Sequence, residues 1–315
     1  MSQTEAGSPE SIETGQLKCN SCGNLYPVLR HIPRFVPEKN YAASFGFEWN
    51  RHPNTQYDSY SKTQISETRF FEATRWARRL EGQVILEVGS GGGRFTEQAA
   101  GTGAMVVSLD YSQAVEANYR FNGHKANVLI VQGDLYAMPF RKKFFDKLFC
   151  FGVLQHTPDV QKAFLCLPLF LKPGGQLAID VYKRKWWRYL LVTRYWIRWL
   201  TRHIPPETLY KMCDKYVRGM WPLVNFIHRL PGGMYINWAL LIREYRDLYP
   251  LTEEQLKEWA VLDTFDGLSA YYDKPQKLST VQQWFEESGL INTEVHYGHN
   301  GIEGRGEKPA EMKKK

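Results

Sequence analysis

Between residues 84 and 181 the sequence alternates short apolar runs with stretches of helical periodicity. The runs are rich in Val, Ile, Leu and Phe and comprise 84–88, 104–109, 128–131, 147–151 and 176–181. Runs of this length without polar alternation are typical of parallel strands that are buried on both faces. Because they alternate with helical stretches, the pattern indicates βαβ units and predicts an α/β fold with a parallel sheet.

A glycine-rich turn follows the first of these runs. Glu87 stands near the end of the strand, and residues 89–95 read Gly-Ser-Gly-Gly-Gly-Arg-Phe before a helical stretch begins. Glycines let a ligand approach the backbone closely, and a helix N-terminus offers it unpaired N–H groups. The dinucleotide fingerprint Gly-x-Gly-x-x-Gly fails because Arg94 stands where its third glycine belongs, and the Gly-Lys-Ser/Thr of a P-loop is absent.

Two further acids follow the next two strands. Asp110 ends the second apolar run, where a carboxylate can accept both hydrogen bonds of a ribose diol. Asp134 follows the third run and can accept a hydrogen bond from an adenine amino group. Turn chemistry explains any one of these residues alone. Since the carboxyl ends of parallel strands share one edge of the sheet, the set predicts a nucleotide-like ligand at that edge.

This order of motifs resembles the class I S-adenosylmethionine (SAM)-dependent methyltransferases over about residues 82–182. The segments 137–140, 145–146, 153–159 and 171–175 are similar to the ubiquinone/menaquinone, or methyltransferase type 11, branch. The resemblance implies a Rossmann-like fold, a seven-stranded mixed sheet completed by a C-terminal hairpin, and a helical cap insertion. It also implies SAM as cofactor and the following cofactor-binding residues: Glu87, Gly89, Ser90, Gly91, Gly93, Asp110, Tyr111, Asp134 and Leu135.

By the same resemblance the activity is methyl transfer to a small-molecule acceptor, with lipid-linked compounds and glycan precursors among the candidates. His156, just past the fourth strand, is the candidate general base because its ordinary pKa suits proton transfer. A histidine that only packs and hydrogen-bonds the loop fits the same position. Two other functions stay open: a non-enzymatic SAM-binding or membrane-adaptor protein, and a nicotinamide-dependent oxidoreductase that Arg94 disfavours.

A Cys-x-x-Cys-Gly knuckle lies near the N-terminus. Cys19 and Cys22 resemble half of a zinc ribbon, and residues 17–36 resemble the second half of the small zinc-binding methyltransferase activators. Structural zinc needs four ligands, usually two such pairs. We therefore expect no metal, unless distant residues such as His31 and Cys213, or a second chain, complete the site.

The α/β pattern stops after Tyr182 and returns near residue 276, so the intervening segment is expected to be a helical cap. Five arginines, at positions 184, 188, 194, 198 and 202, fall within an arc of roughly 120° on a helical wheel. This pattern fits a peripheral membrane contact through 183–203, a lid over an apolar substrate, or a packed helix with a solvated basic face. The acid- and aromatic-rich stretches 262–266 and 271–273 either line the acceptor site or form caps and turns.

Composition limits the remaining possibilities for partners and cellular location. The net charge of +7 is spread along the chain, so nucleic-acid binding is not expected. Neither a secretory leader nor an apolar run long enough to span a bilayer is visible. The odd number of cysteines, five, favours a reducing compartment and hence a cytoplasmic location. The acceptor atom and the oligomeric state are not determined by the sequence.

The expected organisation divides the chain into seven parts. These are a disordered tail (1–16), a zinc-knuckle-like hairpin (17–37), an N-terminal helical segment (38–80), a SAM-binding Rossmann-like core (81–182), an aromatic and basic helical cap (183–275), a C-terminal core helix and hairpin (276–307) and a charged tail (308–315).

Overall fold

The computed structural model describes residues 2–4, 12–37, 40–184 and 193–310, and of residues 2–4 and 193–195 it describes the backbone alone. Its strands are β1 Ser2–Thr4, β2 Thr14–Lys18, β3 Leu25–Leu29, β4 Ile32–Pro33, β5 Val84–Val88, β6 Met105–Asp110, β7 Val128–Gln132, β8 Phe145–Cys150, β9 Leu171–Val181, β10 Ile291–Gly298 and β11 Gly301–Glu307. Its α-helices are α1 Ala43–Arg51, α2 Asp58–Ser61, α3 Ile65–Thr74, α4 Arg94–Gly101, α5 Val115–Asn122, α6 Val160–Cys166, α7 Thr193–Thr201, α8 Pro206–His228, α9 Gly233–Ala239, α10 Glu253–Ser269 and α11 Leu278–Glu287.

Seven strands form one mixed sheet in the order β10-β11-β9-β8-β5-β6-β7. Strands β5 to β9 run parallel, as the apolar runs predicted. The C-terminal hairpin adds β11 antiparallel to β9 and then β10 antiparallel to β11. The predicted fold class, a Rossmann-like seven-stranded mixed sheet with helices, is confirmed.

Alternation along β8 shows how the sheet is buried on both faces. Leu148 packs into one core cluster, together with Phe164 of α6 and Phe285 of α11. Its neighbour Phe149 points to the other face and contacts the ring of Phe70 on α3. All five side chains are fully buried. A strand sandwiched in this way needs apolar residues at every position, which is why the runs lack polar alternation.

The first four strands form a separate small sheet, β1-β2-β3-β4. Ile32 anchors it by packing with Val115 and Ile130 of the core. Strand β1 pairs with β2, so the expectation of a disordered tail over 1–16 is wrong for part of that segment. Backbone pairing with an exposed strand edge needs no apolar pattern, and the sequence therefore gave no signal of it.

Helices α7 to α10 form the cap. Val217 and Trp221 of α8 pack against Phe265 of α10 in a cluster of their own. Of the segment predicted to be helical from Tyr182 onward, Arg184 is not helical, and its backbone N–H donates to the carbonyl of Gln276 at 2.6 Å. Residues 185–192, which include Arg188, lie outside the described residues. None of the helices in the described ranges has the length and apolar character that crossing a bilayer demands.

Candidate active site

A cavity of about 610 Å³ lies at the carboxyl edge of the parallel strands. One end is formed by the loops after β5, β6 and β7, and the opposite wall is formed by α1 and the cap. This is the edge at which open α/β sheets bind ligands. Of the predicted cofactor-binding residues, the structure brings the following to the cavity wall: Gly89, Ser90, Gly91, Asp110, Tyr111, Asp134 and Leu135.

The glycine loop at residues 89–93 turns sharply at Gly89, whose φ is +83°. A Cβ atom there would collide with the side chain of Val153, so only glycine fits. The indole of Trp49 covers Gly91, where an added Cβ would lie 3.0 Å from its Nε1. Tyr57 donates a hydrogen bond of 2.5 Å to the Gly92 carbonyl. The sequence did not predict that Trp49 and Tyr57 contact the glycine loop, because the only indication was the aromatic content of the segment before α3.

Asp110 holds the loop as well as facing the cavity. It accepts hydrogen bonds from the Gly91 N–H at 2.8 Å and from the backbone and hydroxyl of Ser112, both at 2.7 Å. Burial raises the pKa of Asp110, and these three donors oppose that shift. A carboxylate offers about four acceptor positions. The side chain therefore keeps capacity for a ligand hydroxyl beside its structural bonds.

Asp134 caps a short 3₁₀ helix, Leu135–Ala137, through one oxygen. Its Oδ1 accepts from the Tyr136 N–H at 2.9 Å, while Oδ2 has no hydrogen-bond partner among the described residues. Tyr111 lies beside it and stacks on Tyr41, with ring centroids 4.9 Å apart. This end of the cavity thus combines a free carboxylate oxygen with aromatic faces, which suits a purine ring.

Two predicted cofactor residues are not on the cavity wall. Glu87 is buried beneath the loop and accepts hydrogen bonds from the hydroxyls of Thr96 and Ser108. Burial raises the pKa of Glu87 to about 7. Gly93 lies against the side chains of Asn118 and Tyr57, with which a Cβ would collide. Both residues support the loop from behind, and their contact with the cofactor stays a prediction.

His156 lies where the cofactor end meets the acceptor side. Its Nδ1 is 2.8 Å from the carbonyl oxygen of Tyr272. A carbonyl can only accept, so Nδ1 carries the proton and Nε2 is left with its lone pair. Nε2 has no hydrogen-bond partner among the described residues. The rings of Phe45 and Tyr182 pack on the imidazole and fix its plane.

The cap wall of the cavity is rich in charge. Asp263 and Asp266 of α10 line it, as one of the two sequence interpretations had it, and Arg243 and Tyr245 stand opposite. The Tyr245 hydroxyl donates to Asp263. Burial lowers the pKa of Arg243, but Tyr245 and Asp263 outweigh burial and raise it. Tyr271 to Asp273 do not line the cavity; Asp273 pairs with Arg198 of α7 at 2.6 Å.

Glu48 of α1 was missed by the sequence analysis, because a lone acid in an amphipathic helix carries no signal. It lines the cavity and is only 2% exposed. Its Oε2 and the Oδ1 of Asp266 are buried without a hydrogen-bond partner among the described residues. Burial, reinforced by Asp266 and Asp263, raises the pKa of Glu48 well above its ordinary value. Carboxyl oxygens left in this state call for hydrogen-bond donors from a ligand.

Comparison with known proteins places these features in a family. Residues 86–179 match the family model described as a methyltransferase domain. The chain is 25% identical over 197 residues to a ubiquinone biosynthesis O-methyltransferase of Pasteurella multocida, covering 55% of this chain and 81% of that protein. It is 33% identical over 119 residues to the enzyme of the same name from Azotobacter vinelandii, covering 36% of this chain and 50% of that protein.

Residues 86–179 of this chain form a methyltransferase domain.

A solved structure of a candidate SAM-dependent methyltransferase from Methanococcus maripaludis aligns over 89% of this chain and 99% of its own, with a TM-score of 0.47 and 15% identity. The chain spans about half the length of most of the curated relatives it matches. The matched domain and these relatives support SAM-dependent methyl transfer to a small molecule, and they do not favour the nicotinamide-dependent or the non-enzymatic alternative.

The methyltransferase cofactor SAM fits the residues present. Asp110 retains acceptor capacity for a ribose hydroxyl, and the unpartnered Oδ2 of Asp134 suits an adenine amino group. Gly89 and Gly91 also line the cavity, and neither carries a side chain of its own between its backbone and a ligand. When bound, SAM supplies an electrophilic methyl group on a sulfonium leaving group.

The cysteine knuckle lies apart from the methyltransferase cavity. Cys19 and Cys22 have free thiols, and the backbone N–H groups of Cys22 and Ser21 lower the pKa of Cys19. The distant ligands considered from the sequence are not assembled, since His31 stacks on Tyr119 and Cys213 is buried in the cap cluster. In the described part of the chain, no three His, Cys, Asp or Glu side chains are arranged to hold a metal ion.

Proposed function

We propose that this methyltransferase moves the SAM methyl group onto a hydroxyl of a small molecule held between the glycine loop and the cap. The observation that carries the proposal is one continuous cavity that joins the cofactor end, at Asp110 and Asp134, to the cap wall, with His156 between them. The O-methyltransferase names of the curated relatives favour oxygen as the acceptor atom.

The cavity wall favours an acceptor with a flat apolar part and several polar groups. Trp49, Trp238 and Trp259 supply aromatic faces. The unpartnered oxygens of Glu48 and Asp266 are suited to hydroxyl or amino donors. A lipid-linked phenol and a glycan precursor both have this combination.

His156 is proposed as the general base. Its Nε2 would accept the proton that the acceptor hydroxyl loses as the oxygen attacks the methyl carbon. The Tyr272 carbonyl holds the imidazole in the tautomer that this role requires. Packing by Phe45 and Tyr182 limits the reorientation of the ring, and the cap keeps bulk water from the reacting oxygen.

We further propose that the acceptor is collected from an anionic membrane surface through residues 183–203. Within the described part of this segment, Trp196 and Trp199 of α7 are 63% and 66% exposed, and Leu200 beside them is also exposed. Aromatic residues beside cations such as Arg202 are typical of interfacial helices. A cytoplasmic location is part of the same proposal and rests on the five free cysteines.

Cofactor binding and turnover are measured separately. The Asp134→Ala variant should bind SAM about tenfold more weakly by calorimetry, which corresponds to about 1.4 kcal/mol.

The His156→Ala variant should keep SAM affinity but lose roughly 10²- to 10⁴-fold in kcat against a panel of phenolic and sugar acceptors. His124→Ala is the matched control, because that histidine is exposed and outside the cavity. Tight SAM binding without turnover of any acceptor would instead favour the non-enzymatic alternative.

A further inference from the structure

Arg94 is a cation on the cavity wall for which the structure provides no counter-ion. It is the first residue of α4, immediately after the glycine loop, and it lines the cavity. Its guanidinium makes no ion pair and no hydrogen bond with any of the described residues. The guanidinium lies over an aromatic face, the ring of Phe95, whose centroid is 4.5 Å away. A cation–π contact of this kind leaves all five N–H donors available.

The neighbouring arginines differ in this respect. Arg69 pairs with the fully buried Asp180. Arg243 lies against Tyr245 and Asp263, which stabilise its charge. Asp180 also accepts hydrogen bonds from the Gly152 N–H at 2.5 Å and the Asn300 amide at 3.2 Å. Its oxygens are therefore already bound by donors other than Arg94. Arg69 and Arg94 line the cavity and Asp180 is fully buried beside Arg69, so these three side chains together carry a net positive charge.

The electrostatics agree with this description of Arg94. Burial, and then repulsion by the neighbouring Arg69, lower the pKa of Arg94 to about 10. Asp180, Tyr249 and Tyr182 oppose the shift without cancelling it. Arg94 is partly buried, and a guanidinium that gives up part of its hydration without gaining a partner is destabilised. A bound anion would remove that cost, and the planar guanidinium matches a carboxylate or a phosphate in a bidentate arrangement.

We propose that Arg94 binds an anionic group of the acceptor, a carboxylate or a phosphate. The groups that influence Arg94 electrostatically are Arg69, Asp180, Tyr249, Tyr182 and Asp263, and the adenosine-facing Asp134 is not among them. Together with Glu48 and Asp266, this makes the acceptor a molecule that carries hydrogen-bond donors as well as a negative charge. The proposal rests on the proposed function, since it assigns a substrate class to the same cavity.

The test uses the full chain saturated with S-adenosylhomocysteine and two probes, sodium benzoate and inorganic phosphate, at constant ionic strength. Binding is followed by tryptophan fluorescence, because Trp49 and Trp238 line the cavity. We expect saturable quenching by at least one probe, weakened about tenfold or more in Arg94→Gln and less in Arg94→Lys, which keeps the charge but not the bidentate geometry. Arg218→Gln, on the exposed face of α8, should match the wild type.

Arg94→Gln should melt no lower than the wild type, because an unpaired cation is removed. If it fails to fold, Arg94→Lys still answers the question through its weakened anion binding. Anion binding equal to the wild type in both variants would overturn the proposal. About tenfold weaker S-adenosylhomocysteine binding in Arg94→Gln would also overturn it, by assigning the guanidinium to the methionine carboxylate of the cofactor. Anion binding without turnover would contradict only the proposed function, whereas turnover without anion binding or inhibition would contradict only this inference.

Discussion

At the scale of single residues, the same side-chain types serve two different purposes around the glycine loop. Asp110 and Asp134 reach the cavity, but Glu87 turns into the layer between β5 and α4 and binds two hydroxyls there. Its burial raises its pKa to about 7. Because the unfolded chain loses this proton near the ordinary Glu pKa, the folded state holds more protons between the two values, and stability falls as the pH rises through that window.

Glu87→Gln keeps an oxygen that can accept both hydroxyl hydrogen bonds but cannot ionise. Relative to the wild type, the variant should gain unfolding free energy between pH 5 and pH 8, by about 1–3 kcal/mol for a shift of this size. Urea denaturation of both proteins at the two pH values measures the difference. Parallel pH profiles would contradict the raised pKa. Glu81→Gln, an exposed acid before β5, is the matched control.

At the scale of elements, helix α7 shows how tertiary contacts change the meaning of an amphipathic pattern. The arginine face of 183–203 was expected either in water or paired with an anionic group. Arg198 turns inward to Asp273, and Arg202 lies over the ring of Tyr271. The aromatic side chains Trp196 and Trp199 are the ones that face solvent. An exposed aromatic face is the feature that the membrane interpretation requires.

The Trp196→Ala/Trp199→Ala double variant should lose membrane binding. Sedimentation with vesicles that contain phosphatidylglycerol should show about tenfold or more weaker association than the wild type, because two large apolar surfaces no longer insert. Tyr60→Ala, an exposed aromatic on α2, should bind as the wild type does. Equal binding by the double variant would assign α7 to the lid alone.

At the scale of the whole molecule, the cap is joined to the N-terminal segment through buried polar contacts. His52 makes hydrogen bonds of 2.8 Å with both Glu258 and Tyr210, and Thr55 donates to Glu258 at 2.5 Å. The Trp259 indole donates to the Thr55 carbonyl at 2.9 Å. The hydrogen bond from His52 lowers the pKa of Glu258. Its stabilising effect is therefore present above the ordinary Glu pKa and lost as the pH falls through the lowered value.

Glu258→Gln should loosen the cap at neutral pH. We expect the free energy of unfolding to fall by about 1–2 kcal/mol, the range for a charge-assisted hydrogen bond that is not fully buried. Hydrogen exchange should become faster in α8 and α10, while β5 to β9 keep their protection. Glu254→Gln, an exposed acid one turn earlier on α10, serves as control. A uniform increase in exchange across the sheet would show that cap and core unfold together.

The sequence by itself determined the sheet core and the cofactor end of the cavity. Five apolar runs gave five parallel strands, and seven of the nine predicted cofactor residues reach the cavity wall. The physical reason is that the ligand edge of a parallel sheet is built from the loops directly after each strand. A residue that follows a predicted strand in the sequence is therefore expected at that edge. Glu87 and Gly93 lie in the same loop, and only the direction of their side chains and packing separated them from the wall.

Tertiary structure alone decided the acceptor side. Glu48, Arg94, Arg243 and Asp266 come from segments that lie as much as 218 residues apart, from Glu48 to Asp266, and no local pattern relates all four. These residues matter because of the interaction partners that they have or lack. Among the described residues, Arg94 has no counter-ion and Glu48 has no hydrogen-bond donor. Whether a buried charge is compensated depends on the whole surrounding fold, because the free energy of a desolvated ion is set by neighbours that only the folded chain brings together.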